Sequence, residues 1–265
     1  MKPETTERPT PVIGVLSALR PEVSALAGCL LSPKKMRINR RAAWQGTLDG
    51  KSLLVCAGGM GPEKASASTR ALIQRGASAL LCVGASGALD DGLQVGDLFI
   101  AEWVASAGVD HAPIPCDRDW VKKAKELAAR TGFKMAAGGL VSVSKPARTP
   151  EDKARLRSMT VRSVTGRSGA SPLAVDMESA AAAKEASGLP FLAVRVITDD
   201  ARTGLPDVRR GWRNPARLLA EGGGFLARVG PMRRGLRRMQ DFLALLLKES
   251  PPGGRPARFS RGRFL

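Results

Sequence analysis

The sequence predicts an α/β fold in which a central mixed sheet is covered by helices on both faces, followed by a basic helical extension at the C-terminal end. Short apolar runs alternate with helical patterns, as strands and helices do in such folds. One hairpin interrupts this alternation and makes the sheet mixed rather than purely parallel. The 265 residues, 43% of them hydrophobic, are enough to bury the core of one such domain.

The first half of the chain begins with a buried-strand pattern at 12–16, and Pro21 suits the first turn of the helix that follows. Asp49-Gly50 lies between two apolar runs and is a strong local signal for a hairpin. The other elements predicted in this half are strands at 44–48, 53–57, 79–83 and 97–104, and a helix at 63–74 that follows three glycines.

The second half contains a helix pattern at 117–130 and a strand at 139–144. Thr149-Pro150-Glu151-Asp152 has the cap, the first-turn proline and the early acids of a helix start. An alanine-rich helix follows Asp176-Met177-Glu178-Ser179 and ends near Gly188. The apolar strand at 191–197 then leads to Thr198-Asp199-Asp200.

The charge of the chain is concentrated towards its C-terminal end. From Ala201 onward there are 15 Arg and Lys against 4 Asp and Glu, so this part carries +11 of the total net charge of +18. The predicted organisation is a disordered segment at 1–10, a catalytic domain at 11–206, a basic amphipathic helical extension at 207–249 and a disordered tail at 250–265.

Within the extension, four arginines at 233, 234, 237 and 238 precede a run of leucines and phenylalanine. One interpretation is a basic helix that packs its leucines on the domain. The other is an amphipathic helix that lies on an anionic membrane surface. Nucleic acid is not expected, because no aromatic residues are interleaved with the arginines and no reading module is present.

Composition excludes several classes of site. His111 is the only histidine, so neither a zinc site nor a Ser-His-Asp triad is easily built, and we expect no metal and no cofactor. Four cysteines without CxxC spacing indicate free thiols in a reducing compartment. No signal-peptide pattern and no apolar run near the ~20 residues of a membrane span is found. A cytoplasmic protein, with peripheral contact to the inner membrane face as an option, is expected.

Two acidic clusters mark the candidate site. Asp176 and Glu178 start a helix, and Asp199 with Asp200 ends the strand that follows it. Carboxylates beside apolar segments are costly unless a ligand or a reaction uses them. An isolated site of this kind would more often be a helix-start charge or a turn aspartate, but the pair favours a functional interpretation.

Four segments occur in the order of a known family. They lie at 12–23, 56–65, 80–104 and 172–201, and their sequences are VIGVLSALRPEV, CAGGMGPEKA, LLCVGASGALDDGLQVGDLFIAEWV and PLAVDMESAAAAKEASGLPFLAVRVITDDA. Together they resemble the purine nucleoside phosphorylase and methylthioadenosine/S-adenosylhomocysteine nucleosidase superfamily. The resemblance implies an enzyme that breaks the N-glycosidic bond of a purine nucleoside.

The resemblance also implies roles for individual residues. Asp199 matches the general acid that protonates N7 of the purine, which works best when its pKa is raised towards neutrality. Glu178 matches the glutamate that binds the ribose hydroxyls and faces the positive charge of the transition state. Met177 and Met60 match the apolar wall behind the sugar, although either could be ordinary core.

The sequence does not decide whether water or phosphate is the nucleophile. Glu22 aligns with the glutamate that activates water in the nucleosidases. Arg20 and Gly59 stand where a phosphorylase could bind phosphate as a co-substrate. Ser86 and the glycine-rich turn from Gly84 could bind the substrate or order the nucleophile through exposed amide donors.

The basic tail and an open-looking pocket most resemble the hopanoid-associated phosphorylases, which implies release of adenine from adenosylhopane, a lipid-linked nucleoside. The alternative is a soluble 5′-methylthioadenosine/S-adenosylhomocysteine nucleosidase or purine nucleoside phosphorylase. An alternative of another class is a non-catalytic nucleoside-binding or membrane adaptor protein. Members of the superfamily usually share their sites between subunits, so a homo-oligomer is expected.

Overall fold

The structure is a computed structural model, which describes residues 11–109, 112–159, 171–203 and 215–249. The two predicted disordered ends, at 1–10 and 250–265, lie outside these residues, as do His111 and the first residues of the predicted extension, up to 214.

A sheet of ten strands forms the centre of the described part of the chain. Its strands are β1 (Val12–Ser17), β2 (Leu31–Ile38), β3 (Arg41–Leu48), β4 (Lys51–Ala57), β5 (Ala77–Ala88), β6 (Leu98–Ser106), β7 (Ile114–Pro115), β8 (Met135–Ser142), β9 (Ala174–Asp176) and β10 (Phe191–Asp199). The order along the sheet is β10-β6-β8-β9-β5-β1-β4-β3-β2, and β7 pairs with β6. Because β10 also pairs with β5, five of the strands close into a ring.

Parallel and antiparallel pairs both occur in this sheet. The strands β1–β4, β1–β5, β5–β10, β6–β8 and β8–β9 are parallel, whereas β2–β3, β3–β4, β5–β9, β6–β7 and β6–β10 are antiparallel. The helices are α1 (Arg20–Gly28), α2 (Pro62–Gln74), α3 (Arg118–Thr131), α4 (Pro150–Arg157), α5 (Ser179–Glu185) and α6 (Pro215–Glu249). Helix α2 packs against α5, and α6 packs against α1, α3 and β10. The predicted fold class is confirmed.

Helix starts follow the local sequence signals. Asp117 caps α3, because its side chain accepts a hydrogen bond from the Trp120 amide at 2.9 Å. Thr149 and Asp152 form a reciprocal capping box at the start of α4, with Pro150 in the first turn. The predicted start of α4 is therefore explained by two side chains that accept hydrogen bonds from free amides and by a proline that has no amide hydrogen to satisfy.

Two local predictions differ from the structure. Gly84 and the three residues after it were expected to form a turn, but they lie inside β5, paired to β10 in the register Gly84 with Arg195. No strand was predicted at 31–38, where β2 lies at the edge of the sheet and is mostly exposed. Pro33, Lys34 and Lys35 in β2 are residues that edge strands tolerate, since such a strand needs no alternation of apolar side chains.

The apolar side of α6 is part of the core. Five side chains on its second half are at most 1% exposed, namely Met239, Phe242, Leu243, Leu246 and Leu247. The Phe242 ring meets Phe133 edge to face, with the ring centroids 5.5 Å apart. The four arginines at 233, 234, 237 and 238 are exposed. Of the two interpretations, packing of the leucines on the domain describes this half of the helix.

Phe242→Ala should lower the free energy of unfolding by about 3–5 kcal/mol, because a fully buried phenylalanine leaves a cavity that its neighbours fill only in part. Urea unfolding measures the loss. Arg237→Ala on the exposed side of the same helix is the control and should change stability by less than about 0.5 kcal/mol. Equal, small effects of both substitutions would mean that α6 is not docked in solution.

No helix in the described ranges is both long enough and apolar enough to cross a lipid bilayer.

Candidate active site

A cavity of about 210 Å³ opens where the carboxyl ends of β1, β5, β9 and β10 meet. Ligands bind at this edge of the sheet in open α/β folds. Six of the nine site residues predicted from the sequence line it, namely Glu22, Met60, Ser86, Met177, Glu178 and Asp199. Three carboxylates that are far apart in the chain therefore face one space.

The remaining lining contains both polar and apolar residues. Asp176 and Thr198 add oxygen atoms, and Val143, Pro146 and Val175 add apolar surface. No arginine or lysine lines the cavity in the part of the chain that the structure describes. The Ser86 hydroxyl is buried and has no hydrogen-bond partner among the described residues, so it is available to a ligand.

Glu22 lies in the first turn of α1 and is 5% exposed. Its Oε2 accepts hydrogen bonds from the Ser17 hydroxyl and from the Leu19 amide at 2.8 Å. Its Oε1 accepts from the Ala85 amide at 3.1 Å. Three donors from β1, the loop after it and β5 thus hold the carboxylate in one orientation at the wall of the cavity.

Glu178 is the N-cap residue of α5, but its side chain makes no hydrogen bond to that helix. Its Oε1 instead accepts a hydrogen bond from the Gly61 amide at 2.8 Å, which ties the loop before α2 to α5. Burial and then the negative charge of Asp176 raise the pKa of Glu178 above its usual value. The carboxylate consequently gains from a partner that brings hydroxyl donors or positive charge into the cavity.

Asp199 ends β10 and is 3% exposed. Its Oδ2 accepts a hydrogen bond from the ammonium group of Lys153, and its Oδ1 lies 3.0 Å from the Thr198 hydroxyl. A Cβ atom on Gly87 would come within 2.9 Å of Oδ2, so only glycine leaves room for the carboxyl group there. Burial raises the pKa of Asp199, against the opposing effect of the Lys153 charge.

Behind the cavity lies a buried ion pair that the sequence analysis missed. Arg195 is 2% exposed, and its Nη2 donates to Asp176 Oδ2, to the Ser179 hydroxyl at 2.6 Å and to Cys82 Sγ at 3.1 Å. Asp176 also accepts from the Ser142 hydroxyl and from the Ser179 amide. This network fixes the junction of β9 and α5 next to Glu178. Its signal in the sequence was a single arginine inside an otherwise apolar strand.

Three predicted site residues are not among those that line the cavity. Arg20 is exposed, and its guanidinium lies 5.7 Å from the centre of the Trp44 ring. Gly59 is covered by Arg41, whose Cζ would be 2.5 Å from an added Cβ. Gly84 lies behind the cavity, where an added Cβ would be 3.0 Å from Arg195 Nη1 and 3.1 Å from Glu22 Oε1. Among the described residues, Arg20 and Gly59, the two predicted phosphate-binding residues, therefore stand apart from the lining of this cavity.

A family model described as the Phosphorylase superfamily matches residues 12–211. The chain belongs to this superfamily. The match spans β1 to β10 and includes every residue that lines the cavity. It confirms the superfamily predicted from the four sequence segments, together with the prediction of an enzyme.

Two relatives of this chain are named 5′-methylthioadenosine/S-adenosylhomocysteine nucleosidase. A 5′-methylthioadenosine/S-adenosylhomocysteine nucleosidase from Actinobacillus succinogenes is 26% identical over 208 residues, which cover 71% of this chain and 85% of the relative. A nucleosidase of the same name from Shewanella baltica is 28% identical over 217 residues, which cover 73% of this chain and 86% of the relative.

Solved structures of the superfamily share the fold. The nucleosidase of the same name from Neisseria meningitidis, in complex with methylthio-immucillin-A, superimposes with a TM-score of 0.73 at 21% identity. The likeness covers 90% of this chain and 99% of that structure. An S-adenosylhomocysteine nucleosidase from Streptococcus pyogenes, in complex with 5-methylthiotubericidin, has a TM-score of 0.73 at 20% identity and covers 92% of this chain.

Proposed function

We propose that the protein hydrolyses the N-glycosidic bond of an adenine nucleoside of the 5′-methylthioadenosine or S-adenosylhomocysteine type and releases adenine. The observation that carries the proposal is that Glu22, Glu178 and Asp199 line one cavity from three different elements. Relatives that bear the name of this nucleosidase match more than two thirds of the chain, which supports the same substrate class.

The three carboxyl groups divide the reaction between them. Asp199, whose pKa is raised by burial, gives a proton to N7 of the leaving base. Glu178 accepts hydrogen bonds from the ribose hydroxyls and stabilises the positive charge that develops on the sugar. Glu22 takes a proton from the attacking water, which then bonds to the anomeric carbon as the base departs with the bonding electrons.

Water, rather than phosphate, fits the electrostatics of the cavity. The amides of Leu19 and Ala85 and the Ser17 hydroxyl could bind an anion, but all three already donate to Glu22. A phosphate ion would also face the carboxylates of Glu22 and Glu178 without an arginine or lysine among the described lining residues. A neutral water molecule avoids this repulsion, and Glu22 activates it.

Adenosylhopane, the substrate first predicted from the sequence, has less support. That prediction depended on a tail suited to a membrane, whereas the leucines of the second half of α6 are buried in the core. The four exposed arginines on the same helix leave contact with an anionic surface as a prediction. A homo-oligomer and a cytoplasmic location likewise stay predictions.

The test is adenine release from methylthioadenosine, S-adenosylhomocysteine and adenosylhopane, each with and without phosphate. We expect methylthioadenosine to give adenine and the free thiosugar at a rate that phosphate does not increase. Formation of a sugar 1-phosphate would contradict hydrolysis. Turnover of adenosylhopane alone would restore the first prediction, and tight nucleoside binding without turnover would favour the non-catalytic alternative.

A further inference from the structure

A lysine that has no part in the proposed reaction lies against its proton donor. Lys153, in α4, is 1% exposed, and its ammonium group contacts Asp199 Oδ2. The same nitrogen donates to the carbonyl oxygens of Asp200 and of Thr203, the latter at 3.0 Å. Three acceptors match the three N–H donors of a lysine, so the buried charge is fully bonded.

The position of this charge has a chemical consequence. Burial alone favours the protonated carboxyl group, and a carboxyl group that holds its proton too strongly is a poor acid. A cation in contact with it stabilises the carboxylate that remains after proton transfer. The two effects oppose each other at Asp199, where burial raises the pKa and the Lys153 charge lowers it.

Residues other than this lysine also anchor α4. Arg157, in the last turn of the helix, forms an ion pair with Asp90 at 2.8 Å and donates to the Pro172 carbonyl at 3.2 Å. Leu156 packs in a small cluster of buried apolar side chains, and Thr149 caps the first turn. Lys153, the one lysine of α4, is buried and directed at the end of β10.

We propose that Lys153 is a positioning residue for the general acid. It holds Asp199 through Oδ2 and stabilises the carboxylate formed when Asp199 gives its proton to the departing base. Oδ1, beside the Thr198 hydroxyl, is then the oxygen that transfers the proton. The proton moves from Asp199 to the base, the base leaves with the glycosidic electron pair, and Lys153 keeps all of its own protons. This inference rests on the proposed function.

Lys153→Met keeps the length of the side chain and removes the charge. We expect kcat for adenine release to fall about tenfold and the basic limb of its pH profile to move up by about one unit, because burial then acts on Asp199 without opposition. KM should change little. A riboside whose leaving group departs as a stable anion, such as nitrophenolate, should be cleaved at nearly the original rate.

Lys184→Met, at an exposed lysine of α5, is the charge-matched control and should leave both reactions unchanged.

Two further measurements separate positioning from a purely structural role. In an Asp199→Asn background, Lys153→Met should cause no further loss of kcat, because the two residues act through one carboxyl group. The infrared band of the protonated Asp199 carboxyl group, assigned by its absence in Asp199→Asn, should persist to higher pH in Lys153→Met than in the wild type. Lys153→Gln, which removes the charge but keeps a neutral NH₂ donor group, serves for all of these measurements if the Met variant fails to fold.

The outcomes distinguish a failure of this inference from a failure of the proposed function on which it rests. A wild-type protein that releases no adenine would contradict the proposed function, while the infrared titration would still report on the pair of Lys153 and Asp199. Active wild-type protein combined with an unmoved basic limb, or with equal losses on the adenine nucleoside and the nitrophenyl riboside, would overturn the role of Lys153 alone.

Discussion

Asp199→Asn should lower kcat for adenine release by at least about 10²-fold, the usual contribution of a positioned proton donor. The asparagine fits the same space beside Gly87 but has no acidic proton for the base. Steady-state kinetics with methylthioadenosine measures the loss. In the wild type, activity should also fall as the pH rises through the raised pKa of Asp199, since the group then loses the proton it must donate. This basic limb should be absent from the residual activity of the variant.

Asp200→Asn is the matched control, because it removes the neighbouring charge without touching the cavity lining. The Asp200 carboxylate accepts from the Arg202 amide and the Thr203 hydroxyl through Oδ1, an oxygen that asparagine retains. A nitrophenyl riboside supplies the second control, as its leaving group needs no proton. Equal loss of both substrates in Asp199→Asn would show that this residue shapes the site rather than protonating the base.

Local chemistry made much of the fold predictable. The Asp49-Gly50 turn joins β3 to β4 as expected, and the cap residues Asp117 and Thr149 begin α3 and α4. Such signals act within a few residues and need no knowledge of the remaining chain. The edge strand β2 was missed because its stability comes from pairing with β3, and its own residues carry no strand pattern.

Some residues of the candidate site were predictable because they contrast with the residues next to them in the sequence. Glu178 and Asp199 are acids beside apolar segments, and the structure brings both to one cavity with Glu22. Lys153 was hidden because α4 is rich in charge, and nothing local marks its lysine as buried rather than exposed like the neighbouring charged residues Glu151 and Arg155. Only the contact of Lys153 with Asp199 at the end of β10 reveals it, and that contact joins residues 46 positions apart.

The choice between phosphate and water depends on packing in the same way. Amide donors near glycines suggest an anion site, but in this fold the Ala85 amide is directed at a carboxylate from α1. Sequence alone cannot show which anion fills such a position, because an acidic side chain and a free ion make the same hydrogen bonds. The structure assigns these donors to Glu22, and this assignment leads to the second large effect.

Glu22→Gln should lower hydrolysis of methylthioadenosine by about 10²–10⁴-fold, because the attacking water then has no base to take its proton. A phosphate ion is already charged and needs no such base, so phosphorolysis would not depend on Glu22 as a base. If the reaction is hydrolysis, added phosphate should not restore turnover of the variant. Steady-state rates with and without phosphate, together with binding of an uncleavable nucleoside analogue, measure the effect. Glu63→Gln, at an exposed acid near the start of α2, is the control and should keep full activity.

The amide side chain also changes the local hydrogen bonds, which sets a condition on the experiment. Glu22 accepts from the amides of both Leu19 and Ala85, one on each carboxylate oxygen, whereas glutamine has a single acceptor oxygen. One of these part-buried amides then loses its bond to this side chain, at a cost of up to about 1–3 kcal/mol in stability. Rates are therefore compared below the unfolding transition, with nucleoside binding as proof that the cavity is intact. A folded, nucleoside-binding Glu22→Gln protein that cleaves its substrate in the presence of phosphate would mean that phosphate is the nucleophile and that Glu22 has another role.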